Sequence, residues 1–255
     1  MDTSTPTHIV ASWPAPANVK AYTSTRQGGV SQGEFTSLNL GAHVGDSEAD
    51  VLANRRLFSS RVDMPDSLVW LNQVHGTHVV ALPSVKPLIE ADGAVTQQEN
   101  QVCAVLTADC LPVFFCNKQG SQVAVAHAGW RSLCFGVLEE TLTHFNDSDE
   151  ILVWLGPAIG PAAFEVGGEV RQAFIEQQAE AEAAFVSKGN GKWLGNLYLL
   201  AKQRLAAHGV TEVYGGDFCT YQNEDDFFSY RRSGKTGRMA SVIWFEKRIE
   251  EEGGE

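Results

Sequence analysis

The chain has 255 residues, 44 % of them apolar and 20 % charged, the balance of a globular protein able to bury a core without disulfide or metal staples. Its formal net charge of −12 argues against DNA, RNA and anionic membranes as partners, while local arginines leave a small phosphate-bearing substrate open. Five cysteines, an odd number without a C-x-x-C pair, suit reduced thiols in a cytoplasmic protein, and residues 1–20 lack the charged start and apolar run of a secretory signal.

Residues 1–18 read as an N-terminal extension, 19–246 as one catalytic domain, and 247–255 as an acidic tail carrying Glu250, Glu251, Glu252 and Glu255. Residues 19–25 predict a strand broken by Gly28-Gly29, and 47–62 a helix with Asp46 or Ser47 as N-cap. Apolar runs at 68–71, 79–82, 102–106, 111–116 and 123–126 predict strands buried on both faces, with Lys118-Gln119-Gly120 as the turn between the last two. From 130 to 145 the period lengthens, placing Cys134, Leu138, Leu142 and Phe145 on one helical face. A strand at 151–155 follows, then a Gly-Pro-rich loop at 156–161, helices at 169–178 and 196–208, and strands at 212–214 and 239–245. The acidic, Ala-rich stretch 176–190 reads as a surface excursion. Strands and helices without strict alternation predict an α+β fold: a mixed α/β single domain of mixed sheets with flanking helices.

Three short segments set chemistry-bearing residues where strands meet turns: Asn72-Gln73-Val74-His75-Gly76, Thr107-Ala108-Asp109-Cys110-Leu111-Pro112 and Ala126-His127-Ala128-Gly129-Trp130-Arg131. Two imidazoles and a thiolate suit Zn²⁺ and leave a fourth position open, as in a catalytic rather than a structural site. The spacing alone matches no local zinc motif. It leaves two other readings: Cys110 as a nucleophile activated by His127 or His75, and three separate buried side chains. Asp109 is a candidate acid/base beside Cys110, with a turn carboxylate as its alternative. His78, three residues from His75, falls on the opposite face of an extended chain.

In this order the segments N-Q-V-H-G, T-A-D-C-L-P and A-H-A-G-W-R resemble the YfiH family, also called the laccase-domain or polyphenol oxidase family. Further agreement comes from Thr25 to Ser31, Leu38 to Asp46, Gly156 to Pro161, Phe164 to Gly167, Cys219-Thr220 and Phe227 to Arg232, so that the similarity runs from about residue 21 to residue 243. The resemblance implies a zinc site of His75, Cys110 and His127, with copper as an adventitious or alternative metal. It also implies phosphorolysis of purine nucleosides such as adenosine and inosine, with adenosine deamination and methylthioadenosine cleavage as side activities. Two positions depart from the family pattern: Ser132 stands where glycine usually follows W-R, and Phe164 where tyrosine often precedes E-V-G.

Phosphorolysis asks for arginines and backbone N–H groups around an anion. Arg26 beside Gly28 and Gly29, Arg131, and the Arg231-Arg232 pair are candidates, and Asn39, His43, Gln73 and Tyr230 join them from the matching motifs. Phe35, Trp130, Phe164 and Tyr230 are candidate stacking faces for a base. Two other activities stay open: a Cys–His hydrolase editing peptidoglycan precursors, and a copper-dependent phenol oxidase. The expected partners are a small nucleoside and phosphate, with no nucleic acid or membrane, for a monomer or weak dimer.

Overall fold

Alternation along the strand Leu111–Asn117 organises the molecule. Val113 and Phe115 point to one side, into a core shared with helices, and Phe114 and Cys116 to the other, into a core shared with a second sheet. The computed structural model describes residues 6–84 and 89–248, so the four glutamates of the expected acidic tail lie outside the described residues.

Six strands form the larger, mixed sheet, in the order Val213–Gly215, Ile151–Leu155, Leu111–Asn117, Val123–Ala128, Gly93–Thr96, Val79–Leu82. Its two outermost pairings are parallel and the others antiparallel. An antiparallel sheet of four strands, His8–Val10, Val19–Ser24, Met239–Phe245 and Cys103–Thr107, packs on one face of it. Val105 and Ile243 meet Phe114, Val125 and Trp154 between the two sheets. On the outer face of the smaller sheet, Leu106, Val242 and Trp244 cover Phe58 and Val62 at the end of the helix Glu48–Arg61. On the outer face of the larger sheet lie the helices Trp130–Phe135, Val137–Leu142, Gly168–Gln177 and Leu197–Ala207. The result is four layers, helix, sheet, sheet, helix, and the central strands are buried on both faces as their unbroken apolar runs require.

Local chemistry sets the helix ends. Ser47 Oγ accepts the Asp50 N–H at 3.4 Å, and Asn196 Oδ1 accepts the Leu199 N–H at 3.0 Å, each satisfying one donor the first turn leaves unpaired.

Several expectations need correction. The single helix over 130–145 is two, broken at Gly136, whose φ of 106° is left-handed and ends the first helix as a glycine cap. Residues 68–70 form no strand, and only Leu71–Asn72 pairs, in parallel with Ile89–Glu90. Leu68 and Trp70 pack against the Phe58 core instead, and Arg55 stacks on the Trp70 ring at 4.0 Å. The stretch 176–190 lies mostly at the surface, as expected, but is ordered and anchored. Ala181, Ala184 and Phe185 are buried, and Phe185–Gly189 pairs with Lys192–Gly195 across a turn at Asn190 and Gly191, both of which, like Gly189 before them, have positive φ. Ahead of residue 19, in the expected extension, His8–Val10 is an edge strand paired with Val19–Ser24.

Candidate metal centre and its pocket

Two loops and a strand end converge where the two packed sheets meet. Asp109 and Cys110 occupy the turn where the chain leaves Cys103–Thr107 of one sheet and enters Leu111–Asn117 of the other. His127 lies on Val123–Ala128, opposite Pro112 in the ladder, so the strand pairing sets it beside Cys110. His75 sits at φ 61° in the loop after Leu71–Asn72. The ligand atoms of these three residues lie within 4.8 Å of one another, with Cys110 Sγ 4.0 Å from His75 Nε2. The two imidazole rings stand edge to face, 4.9 Å between centroids.

Asp92 holds two of the three in place. This fully buried carboxylate accepts the His127 Nδ1 proton at 2.8 Å and the backbone N–H groups of Val74 (3.2 Å), His75 (3.0 Å) and Gly76 (2.7 Å). With Nδ1 donating to Asp92, Nε2 of His127 is the nitrogen left for a metal, and the loop bearing His75 is tied to the same group. Burial works to raise the Asp92 carboxyl, but His127 and the loop N–H groups hold it below its ordinary range.

The thiol is ready for a cation, and His127 becomes a donor once a metal displaces its second proton. Burial would push the Cys110 thiol up, yet His127 and His75 bring it down to about 6, where the thiolate prevails at neutral pH. Against its own desolvation, His127 is raised to about 9 by Cys110 and Asp92. Space is provided as well. A Cβ on Gly129 would lie 3.0 Å from Cys110 Sγ and 3.1 Å from His75 Cδ2, so glycine there keeps the two donors free to approach. Zinc bonds of ~2.0–2.3 Å in a tetrahedron need donors roughly 3.3–3.8 Å apart, and exposed His75 can close the difference by a small rotation. The donor set, its carboxylate support and the space at Gly129 fit one metal ion.

The centre opens into a pocket of about 600 Å³ lined, among others, by His43, Gln73, Asp109, Trp130, Arg131, Phe164, Tyr230, Arg231 and Arg238. Gln73 is committed to the backbone, donating to Leu106 O at 2.9 Å and accepting the Leu106 N–H at 2.7 Å, which pins the His75 loop to the smaller sheet. Both Asp109 oxygens are engaged, Oδ1 by the Thr220 hydroxyl at 2.7 Å and Oδ2 by the Arg231 N–H at 2.6 Å. Arg131 stacks on Trp130 at 4.3 Å, and Arg231 donates to Glu165 O at 2.8 Å.

Four expected phosphate or substrate residues, Arg26, Gly28, Gly29 and Asn39, are not among those lining the pocket. All three guanidinium nitrogens of Arg26 donate to the carbonyls of Thr36 and Glu224, so the glycine-flanked arginine fastens loops together. Gly29 is glycine because a Cβ would overlap Ser37 O and Leu38 Cα. Asn39 is fully buried, bonded to Asp46, Gly41 and the Arg238 N–H. Arg232 caps the carbonyls of Thr220, Tyr221 and Phe227, and Phe35 and Ser132 are buried away from the pocket wall. Sequence reasoning missed Asp92 and Arg238. Asp92 shows only as an acid before Gly93, and Arg238 as one more basic residue after a Thr-Gly turn.

The family model described as multi-copper polyphenol oxidoreductase laccase matches residues 20–246. The chain is 55 % identical over 239 residues to an Escherichia coli protein named purine nucleoside phosphorylase YfiH, covering 92 % of this chain and 98 % of that one. It belongs to the YfiH, or laccase-domain, family. A Pseudomonas aeruginosa protein also named purine nucleoside phosphorylase is 51 % identical, covering 93 % of this chain and 98 % of its own. Among solved structures, the Neisseria meningitidis protein NMB0706 superposes with a TM-score of 0.89 at 47 % identity, covering 95 % of this chain and all of that one. This YfiH-family chain therefore carries, over nearly its whole length, the mixed helices and sheets in a single domain that its motifs imply.

Proposed function

We propose that this YfiH-family chain is a zinc-dependent purine nucleoside phosphorylase, converting adenosine or inosine and phosphate into free purine and ribose 1-phosphate. One observation carries the reading. A single pocket joins a two-histidine, one-cysteine donor set to arginines and aromatic rings, in a chain whose relatives at 49–55 % identity bear that enzyme's name. In the reaction the bond between the purine nitrogen and the anomeric carbon breaks, its electron pair leaves with the base, which takes up a proton, and a phosphate oxygen bonds to the carbon. Trp130, Phe164 and Tyr230 offer π-faces for the base, and Arg131, Arg231 and Arg238 positive charge for the phosphate. Zinc held by His75, Cys110 and His127 would supply Lewis-acid charge at that end of the pocket.

Asp109, with both oxygens bonded, is read as the residue that sets the Arg231 backbone rather than one that moves a proton. Adenosine deamination and methylthioadenosine cleavage would use the same pocket. The donor set argues against a multicopper oxidase. Among the described residues one cluster of three His, Cys or acidic ligands exists, while His8 packs on Tyr22 and His144 lies beside Glu140. A lone copper ion in the Cys/His₂ site is still compatible with these ligands. Among the described residues no helix is long and apolar enough to cross a membrane, and the five cysteines are free. With these the reading places the enzyme in the reducing cytoplasm, as a monomer or weak dimer.

The test is turnover of adenosine and inosine by the zinc-loaded protein with and without phosphate, products separated by chromatography. Purine and ribose 1-phosphate appearing only with phosphate support the reading. Base release that ignores phosphate overturns it in favour of nucleoside hydrolysis, and no base release overturns it in favour of the Cys–His hydrolase, for which the lowered Cys110 thiol is the favouring observation.

A further inference from the structure

One cation of the pocket is held unlike the others. The Arg238 N–H donates to the buried Asn39 Oδ1 at 2.9 Å, and its stem fills the space beside Gly41, where a Cβ would come within 2.7 Å of Arg238 Cγ. Its Nη1 donates to the carbonyls of Thr236 (3.0 Å) and Gly237 (3.1 Å). Its guanidinium also lies over the Tyr230 ring, 5.9 Å from the centroid, but among the described residues Nε and Nη2 have no hydrogen-bond acceptor and no carboxylate lies within ion-pair reach, although the side chain is half-buried and lines the pocket that contains Cys110. The other arginines differ. Arg131 and Arg231 are exposed, and Arg26 and Arg232 are committed to backbone carbonyls. The charges of Cys110 and Asp109 reach Arg238 without pairing with it; a half-buried guanidinium with two donors unpaired is costly to maintain, and one already clamped needs no rearrangement when an anion arrives. His43 lines the same pocket. Burial and the charges of Arg238 and Arg55 lower its imidazole, so at neutral pH it presents an N–H donor without a second charge.

We propose that Arg238 is the anion-receiving group of the pocket and the chief determinant of phosphate binding, with His43, from the same pocket wall, donating a hydrogen bond to the same oxyanion and Asn39 positioning Arg238 from behind. The identity of the anion rests on the phosphorylase reading; the site itself rests on the geometry of Arg238. On this assignment Asn39 touches no substrate.

The experiment compares the zinc-loaded wild type with Arg238→Met, which keeps the stem beside Gly41, and Arg238→Lys, which keeps charge without the fork. Zinc content and melting temperature verify folding, inorganic phosphate is titrated calorimetrically, and KM is measured separately for phosphate and nucleoside. Arg238→Met should weaken phosphate binding and raise its KM by about 10- to 100-fold, with the nucleoside KM within about threefold and Arg238→Lys recovering part of the loss. Arg131→Met, run in parallel, should give the smaller effect. Unchanged phosphate affinity, or equal loss for both substrates with a lowered melting temperature, overturns the assignment. If phosphate binds through Arg238 yet the wild type releases no purine, the anion site stands and the phosphorylase reading falls. If purine release needs phosphate but Arg238→Met keeps the wild-type phosphate KM, the reading stands and the Arg238 assignment falls.

Discussion

Replacing Asp92 by asparagine exchanges one carboxylate oxygen for an NH₂ group at nearly constant volume in a side chain with no exposed surface. Four N–H donors converge on that carboxylate, His127 Nδ1 and the His75 N–H on Oδ1, the Val74 and Gly76 N–H groups on Oδ2. Whichever way the amide is oriented, two donors face another donor. Each buried N–H left without an acceptor costs about 1–3 kcal/mol. Two of them put the destabilisation of the metal-free protein at about 2–4 kcal/mol, roughly 4–16 °C in melting temperature for a chain of this size. Loss of the carboxylate behind a ligating histidine weakens metal binding by about 10- to 100-fold. Competition with a chelator of known zinc affinity, and thermal unfolding of the metal-free protein, read the two effects independently. A depressed carboxyl contributes stability that is complete above its unfolded pKa and lost as pH falls through its folded value. The stability gap between the two proteins should therefore narrow in acid. Zinc affinity within threefold of the wild type, together with an unchanged melting temperature, would refute the role given to Asp92.

Three further outcomes are expected. With Cys110 near 6 and His127 near 9, the metal-free pair is thiolate and imidazolium near neutral pH. Zinc binding should then release about one proton, measured from binding enthalpies in buffers of different ionisation heat, and no released proton would contradict the pairing. Gly129→Ala sets a methyl 3.0 Å from Cys110 Sγ and 3.1 Å from His75 Cδ2. Since the crowded atoms are side chains, the fold should hold while zinc affinity drops by about tenfold; a chelator titration showing no change would mean the two donors need not close up. Arg26→Ala removes the contacts to Thr36 and Glu224 and should cost about 1–2 kcal/mol in denaturant unfolding while leaving the phosphate KM unchanged. A phosphate KM raised tenfold would return Arg26 to the anion site.

The strands whose patterns are continuous apolar runs were the readable part of the fold. Ile151–Leu155 and Met239–Phe245 fall on the expected residues because burial on both faces makes the run almost wholly apolar, and the edge strand Val79–Leu82 does so on its apolar run although Ala81 is exposed. Short strands such as Gly93–Thr96 and Glu165–Gly167 escaped it, since their partners, not their composition, make them strands. The break at Gly136 shows a single left-handed residue overriding a helical face that continues on both sides of it. In the site, His75, Cys110 and His127 were legible because chemically distinctive residues sit at strand ends in segments that match a family. Asp92 was not, because its role exists only once the loop 74–76 folds over it. Arg26 misled for the converse reason: a glycine-flanked arginine resembles an anion loop until its donors are seen to bind carbonyls.

The most direct test of the metal centre is X-ray absorption at the zinc edge of the zinc-loaded protein. The account expects one zinc per chain with one sulfur at ~2.3 Å and two imidazole nitrogens at ~2.0–2.1 Å, and loss of the sulfur signal in Cys110→Ala. Zinc without a sulfur neighbour, or a sulfur that persists in Cys110→Ala, would contradict it.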